Sequence, residues 1–165
     1  MSNDAKEIQE LFDKVSLGAP ENAVGFVLWR LVVRYQREVD RALTPLELTN
    51  LQFVTLALTA WLGRTGEAVT QSELARYSGI HPMQVSHMMK TLESKGFISR
   101  KRSKLDVRAK RVEVSRKGLN VIRRALPTVI KVQQRLFGDE GRPGGPFINT
   151  LLRLDSERPD RLEPI

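Results

Sequence analysis

The chain has 165 residues, 41% hydrophobic and 28% charged, with 27 Lys and Arg against 19 Asp and Glu, a net charge of +8 and two His but no Cys. That length buries an adequate core without disulfides or structural metals, and the lack of Cys excludes a disulfide framework, a thiol redox centre and cysteine-ligated zinc. The positive surplus points to a polyanion, either nucleic acid or an anionic membrane, while the absence of a bilayer-length apolar run or a signal peptide makes a cytoplasmic protein the expectation.

Residues 1–18 place Ile8, Leu11, Phe12 and Val15 at i, i+3, i+4 and i+7, the spacing of a short amphipathic helix or a flexible arm. Gly18-Ala19-Pro20 breaks it. Over residues 21–42, Val24, Val27, Leu28, Leu31, Val32, Tyr35 and Val39 keep the period of a long helix, which Leu43-Thr44-Pro45 ends. Thr49 with Gln52 is a capping-box start for a helix to about Gly63, its inner stripe being Phe53, Leu56, Ala57, Ala60 and Trp61. Thr70 with Glu73 starts a short helix that Gly79 stops. Pro82 fits the first turn of the next, which runs to Lys95 before Gly96. Residues 97–101 and 110–114 read as two short strands around a polar, basic loop. Ser115 caps a second long helix bearing Leu119, Ile122, Leu126, Val129, Ile130, Val132 and Leu136, with Pro127 a point of kinking. Residues 138–146 hold four Gly and two Pro and read as a flexible loop. Phe147, Ile148, Leu151, Leu152 and Leu154 mark a last helix, and the polar tail from Ser156 is expected to fray.

Function concentrates in residues 70–111. Ala75, Gly79 and Val85, at offsets 0, +4 and +10, supply what a helix-turn-helix needs: a small residue at the close approach, a left-handed turn, and a β-branched lock on the second helix. At 100° per residue that second helix turns Val85, Met88, Met89 and Leu92 inward and Met83, His87, Lys90 and Ser94 outward, with Gln84, Ser86 and Thr91 on the shoulders. Gln84, Ser86 and His87 suit base edges in a major groove, Met83 a thymine methyl and Lys90 a phosphate. The plainer alternative is the solvated face of a core helix. In the hairpin, Arg100, Lys101, Arg102, Lys104, Arg108, Lys110 and Arg111 put seven cations in twelve residues, with Asp106 the only acid. Such like charge is tolerated where phosphates neutralise it. Asp106 is placed to orient Arg108 for a minor groove; a basic loop with no fixed orientation is the alternative.

These elements, in this order, resemble the MarR family of bacterial transcription regulators over residues 22–155. The likeness is carried by Leu48-Thr49-x-x-Gln52-Phe53, by Thr70-Gln71-Ser72-Glu73-Leu74-Ala75, by Leu92-Glu93-Ser94-Lys95-Gly96-Phe97-Ile98-Ser99-Arg100, by Asp106-x-Arg108 and by Ser115-x-x-Gly118. It implies a mainly α fold with a small β-hairpin wing, about six helices and two or three short strands. Residues 49–114 would be the winged helix-turn-helix lobe, 19–48 and 115–157 a helical dimerisation region, 1–18 an N-terminal arm or short helix without counterpart, and 158–165 a tail. The implied protein is a homodimer on a pseudo-palindromic double-stranded DNA operator, a repressor relieved by a small aromatic or anionic ligand. The DNA-contact set is Gln71, Ser72, His81, Met83, Gln84, Ser86, His87, Lys90, Arg100, Lys101, Arg102, Lys104, Asp106, Arg108 and Lys110. Met83 and Gln84 stand where the family often has small hydroxyl residues, so its operator sequences do not transfer.

Trp29 and Trp61 lie on helices that, by the same resemblance, flank a ligand cleft. With Arg30, Arg34 and Phe53 they form a candidate pocket for an aromatic carboxylate; core or dimer packing of the Trp, with solvated Arg, is the alternative. His81 is a DNA contact, a helix cap or a pH sensor. Neither a catalytic constellation nor a metal site is visible, so no enzyme and no cofactor are expected. A membrane-surface role would need a basic amphipathic helix, whereas the cations gather on a hairpin. The competing function is an adaptor or general chromosome-binding protein without ligand response.

Overall fold

Side-chain hydroxyls cap three of the helices. In the computed structural model, which describes residues 3–67, 69–102 and 110–156, the helices are α1 (Asn3–Val15), α2 (Val24–Leu43), α3 (Asn50–Leu62), α4 (Gln71–Ser78), α5 (Pro82–Ser94), α6 (Arg116–Phe137) and α7 (Pro146–Ser156). The strands are β1 (Val69–Thr70), β2 (Ile98–Arg102) and β3 (Lys110–Val114). Thr49 and Thr70 each close a full capping box, with Gln52 and Glu73 respectively, and the Ser115 hydroxyl accepts from the Gly118 N–H at 3.0 Å. Each cap satisfies helix-end N–H groups that would otherwise lack a partner.

Two compact units result, the first holding α1 and α2 as far as Glu38, the second everything described from Val39 onward. The second unit carries the core. Leu56, Met89 and Leu92 are fully buried, joined by Leu43, Leu74, Val85, Phe97, Ile98, Val112 and Ile122. Burying one such side chain stabilises the fold by about 1.5–3 kcal/mol. A three-stranded antiparallel sheet of order β1-β3-β2 closes one side, with Val112 paired to Val69 on one flank and Arg100 on the other.

The expected mainly helical fold with a β-hairpin is therefore present, and its differences from expectation are local. The second helix begins at Val24, because Pro20–Asn22 forms a 3-10 turn first. Thr70 both pairs in β1 and caps α4, so a strand precedes the capping residue where no periodic pattern announced one. Residues 138–146 form a 3-10 turn, Gly138–Gly141, and a tight bend in which the Gly145 N–H donates to Arg142 O at 2.8 Å. There is no room for a side chain at Gly145, whose added Cβ would stand 2.5 Å from Asp139 O. α6 continues through Pro127. The tail at 158–165 lies outside the described residues. Among the described residues no helix is long and apolar enough to cross a membrane.

Candidate nucleic-acid interface

The turn between α4 and α5 is pinned from both sides. Gly79 takes φ 68° and donates its N–H to Ala75 O at 3.0 Å, a left-handed stop that a side chain would strain. The Ile80 N–H donates to Ser78 Oγ at 3.1 Å. His81 caps α5, its Nδ1 accepting from the Met83 N–H at 3.3 Å, so of its three predicted roles the cap is the one with a hydrogen bond in place. Gln71 Nε2 donates to Pro82 O at 3.4 Å, tying the start of α4 to the start of α5. Ala75 and Val85 are buried at the crossing, where a small residue and a β-branched lock were expected.

This turn presents one face of α5 to solvent. Val85, Met89 and Leu92 are buried and Met88 is half-buried, while Met83, Gln84, His87 and Lys90 are exposed and Ser86 half-exposed. No acid lies between Pro82 and Leu92. Ser94 Oγ donates to Thr91 O at 2.8 Å and Thr91 Oγ1 to His87 O at 3.1 Å, so both hydroxyl protons are used within the helix. Ser72 is exposed in the first turn of α4.

Arg100 behaves differently from its neighbours in the basic set. Its Nε donates to Glu93 Oε2 at 2.8 Å and its Nη2 reaches the same oxygen; the side chain is only 18% exposed. It straps β2 to the end of α5 rather than standing free for a phosphate. Sequence reasoning missed Glu93 as its anchor, because a pair seven residues apart across a turn and a change of secondary structure leaves no periodic signal. Further bonds tie the end of α5 to the start of α6 and to α3. Ser115 Oγ donates to Gly96 O at 2.6 Å, Lys117 Nζ to Lys95 O at 2.8 Å, and Lys95 Nζ to Gln52 Oε1 at 3.0 Å. Lys101 and Arg102 lie on β2 and Lys110 on β3, whereas Lys104, Asp106 and Arg108 lie outside the described residues.

The predicted ligand residues divide between the units. Trp29, Arg30 and Arg34 belong to the first, where Trp29 stacks on Phe26 with centroids 6.4 Å apart and Arg30 pairs with Glu21 at 3.5 Å. Phe53 and Trp61 belong to the second. Phe53 is a buried core residue, and Trp61 is exposed beneath the Arg64 guanidinium, 3.7 Å from the ring centroid. A cavity of about 460 Å³ opens in the second unit behind the hairpin, between the end of α3, β3 and Leu119 of α6. Four consecutive β3 residues, Arg111, Val112, Glu113 and Val114, line it. No sequence pattern marks it, since its walls come from α3, the segment between α3 and β1, β3 and α6.

With this geometry in hand, the likenesses to known proteins are specific. Residues 48–110 match the model of the MarR family. The HTH-type transcriptional regulator YdcH of Bacillus subtilis is 38% identical over 118 residues, covering 72% of this chain and 80% of that one. The crystal structure of CouR from Rhodococcus jostii RHA1 bound to p-coumaroyl-CoA superposes with a TM-score of 0.72 at 25% identity, covering 88% of this chain and 99% of that one. The repressor CouR is also solved on a 23-mer DNA duplex, and that structure matches with the same TM-score and identity over 87% of this chain and 99% of that one. MosR of M. tuberculosis in complex with DNA has a TM-score of 0.65 at 25% identity, covering 82% of this chain and 94% of that one.

Proposed function

The chain belongs to the MarR family of DNA-binding transcriptional regulators, and from that premise we propose that it is a homodimeric repressor of a pseudo-palindromic operator, released by a small aromatic or anionic ligand. The observation that carries this is the acid-free outer face of α5, presented by a turn held at Gly79, His81 and Gln71. In this proposal Gln84, Ser86 and His87 read base edges, Met83 touches a thymine methyl, and Lys90 meets a phosphate. Ser72, Gln71 and His81 approach the backbone around the helix start. Lys101, Arg102, Lys104 and Lys110 neutralise phosphates, and Arg108, oriented by Asp106, enters the minor groove. Arg100 serves as a strut for the hairpin through Glu93.

Two copies read half-sites one helical turn, about 34 Å, apart. Residues 19–48 and 115–157 hold the dimer in this proposal, consistent with exposed Val24, Val27, Leu28, Leu126, Ile130, Leu152 and Leu154. Relief by a ligand draws support from CouR, which is a repressor solved both on DNA and with p-coumaroyl-CoA. The cavity behind the hairpin falls in the volume range of small-molecule sites. A ligand there would bear directly on β3 and shift the population of hairpin placements.

The test is a binding titration against fragments selected from the source genome and against random duplex. A specific regulator is expected to prefer its site by a factor of about 10³ or more. A ratio near one would favour general chromosome binding instead. Arg108→Ala is expected to weaken operator binding by about 1–3 kcal/mol in a salt-matched gel shift; undiminished affinity would remove the hairpin tip from the interface. Gln84→Ala is expected to change base preference at one position per half-site, and repeated selection returning the parental consensus would withdraw that role.

A further inference from the structure

The first unit has an apolar surface and no core. Every buried apolar residue among those described lies at Val39 or beyond. Of the first unit's large apolar side chains, Ile8, Leu11, Phe12 and Val15 on α1 are each more than half exposed, and Val24, Val27, Leu28 and Val32 are exposed on α2. A helix of thirteen residues is marginal in water by itself. A unit this short does not bury enough surface to stand alone. An amphipathic stripe that covers nothing in its own unit needs a partner.

Charge says which partner. α1 carries Asp4, Glu7, Glu10 and Asp13 against Lys6 and Lys14, a net charge of −2. The stretch of α2 within this unit carries Arg30, Arg34 and Arg37 against Glu38, a net charge of +2. Glu10 is bridged to Lys14 and Arg30 to Glu21. Asp4, Glu7, Arg34 and Arg37 form no ion pair within the chain among the described residues. Asp4 lies one turn before Ile8 and continues the apolar row at its N-terminal end, while Glu7, one turn before Leu11, borders it. Arg34 continues the row of Val27 and Leu31 on α2. The two helices are thus complementary in both apolar pattern and sign.

We propose that α1 is an intersubunit clasp, its apolar stripe lying on α2 of a second copy of this chain and its acids facing Arg34 and Arg37 of the partner subunit. Each copy gives one α1 and receives another, so the contact closes on a twofold axis. A membrane surface is the poorer occupant, because a helix that lies on anionic lipid presents a basic polar face and this one is acidic. The inference rests on the homodimer proposed above but adds a segment outside residues 22–155, where the family resemblance lies.

Sedimentation equilibrium on the full chain tests it. Leu11→Asp with Phe12→Asp is expected to raise the dimer dissociation constant about a hundredfold or more, since buried apolar surface is lost twice per dimer. Both side chains are exposed within the chain, so the second unit keeps its thermal transition, and circular dichroism checks this. Two charge variants sharpen the test. D4K/E7K and R34E/R37E are each expected to weaken self-association several-fold, and mixing them should restore it, because only the mixed dimer pairs opposite signs at both clasps. A wild-type dimer indifferent to the apolar variant, or a mixture no tighter than its components, would overturn the clasp and leave the homodimer standing. A monomeric wild-type chain would overturn both. Sedimentation of the wild type with phosphatidylglycerol vesicles, lost in the apolar variant while the dimer is unchanged, would overturn the clasp in favour of lipid.

Discussion

Raising the salt from about 50 to about 200 mM is expected to weaken operator binding by about a thousandfold. The charge of the hairpin sets this expectation. Lys101, Arg102, Lys104, Arg108 and Lys110 crowd one short stretch, with Lys90 on the adjoining helix face. Arg100 is left out because Glu93 already holds it. If each copy neutralises about three phosphates, the dimer displaces about six counterions, and the logarithm of affinity falls with a slope near −5 against the logarithm of salt. Fluorescence anisotropy of a labelled duplex across a potassium chloride series measures that slope directly. A slope near zero would mean that the cations face solvent rather than phosphate. Arg108→Ala should reduce the slope by about two per dimer if that guanidinium meets a phosphate in each half-site. It should leave the slope closer to the parent if the side chain reads the floor of the minor groove.

Gly118→Ala is expected to destabilise the second unit by about 3 kcal/mol or more, an overpacking effect. A Cβ at Gly118 would stand 2.0 Å from the carbonyl oxygen of Phe97, 2.9 Å from its carbonyl carbon and 3.0 Å from Val114 Cγ1. None of these neighbours yields easily. Phe97 is buried, and its carbonyl accepts the Ser115 N–H at 2.9 Å. The Gly118 N–H is held by Ser115 Oγ at 3.0 Å. Relief therefore requires the start of α6 to move away from the root of the hairpin, breaking the Ser115 cap or the bond to Phe97. In a chain of this size 3 kcal/mol lowers the thermal midpoint by roughly 6–12 °C. Differential scanning calorimetry reads it. A midpoint within one or two degrees of the parent would show that α6 and the hairpin are not packed this closely. The same displacement would loosen the hairpin against α5, so operator affinity should fall in proportion at temperatures where the chain remains folded.

Much of the candidate interface is legible in the sequence because it depends on neighbours along the chain. A 100° step alone assigns the inward set of α5, and Val85, Met89 and Leu92 are buried. Met88 was assigned with them but lies at the margin of the stripe, where angular position cannot separate half-buried from buried. His81 leaves three roles open in the sequence, and a bond between its ring and an N–H two residues away puts the cap in place. The family resemblance puts Gln71 in the DNA-contact set. The fold also engages its amide with Pro82, eleven residues on. The pocket assignment fared differently: Phe53, at an inner position of α3, is filled in by core and cannot serve as an open wall.

Sequence alone determined where the helices start and stop, which face of α5 turns outward and where positive charge gathers. Caps, glycine stops, side-chain period and charge density are written within a few residues and need no knowledge of the rest of the chain. Tertiary structure alone decided that Arg100 is held by Glu93, that β1 pairs with β3, that Gly118 lies against Phe97, and that a cavity opens behind β3. Each of these depends on the distance between elements brought together by burial of a shared core, a distance that no local spacing of residue types encodes.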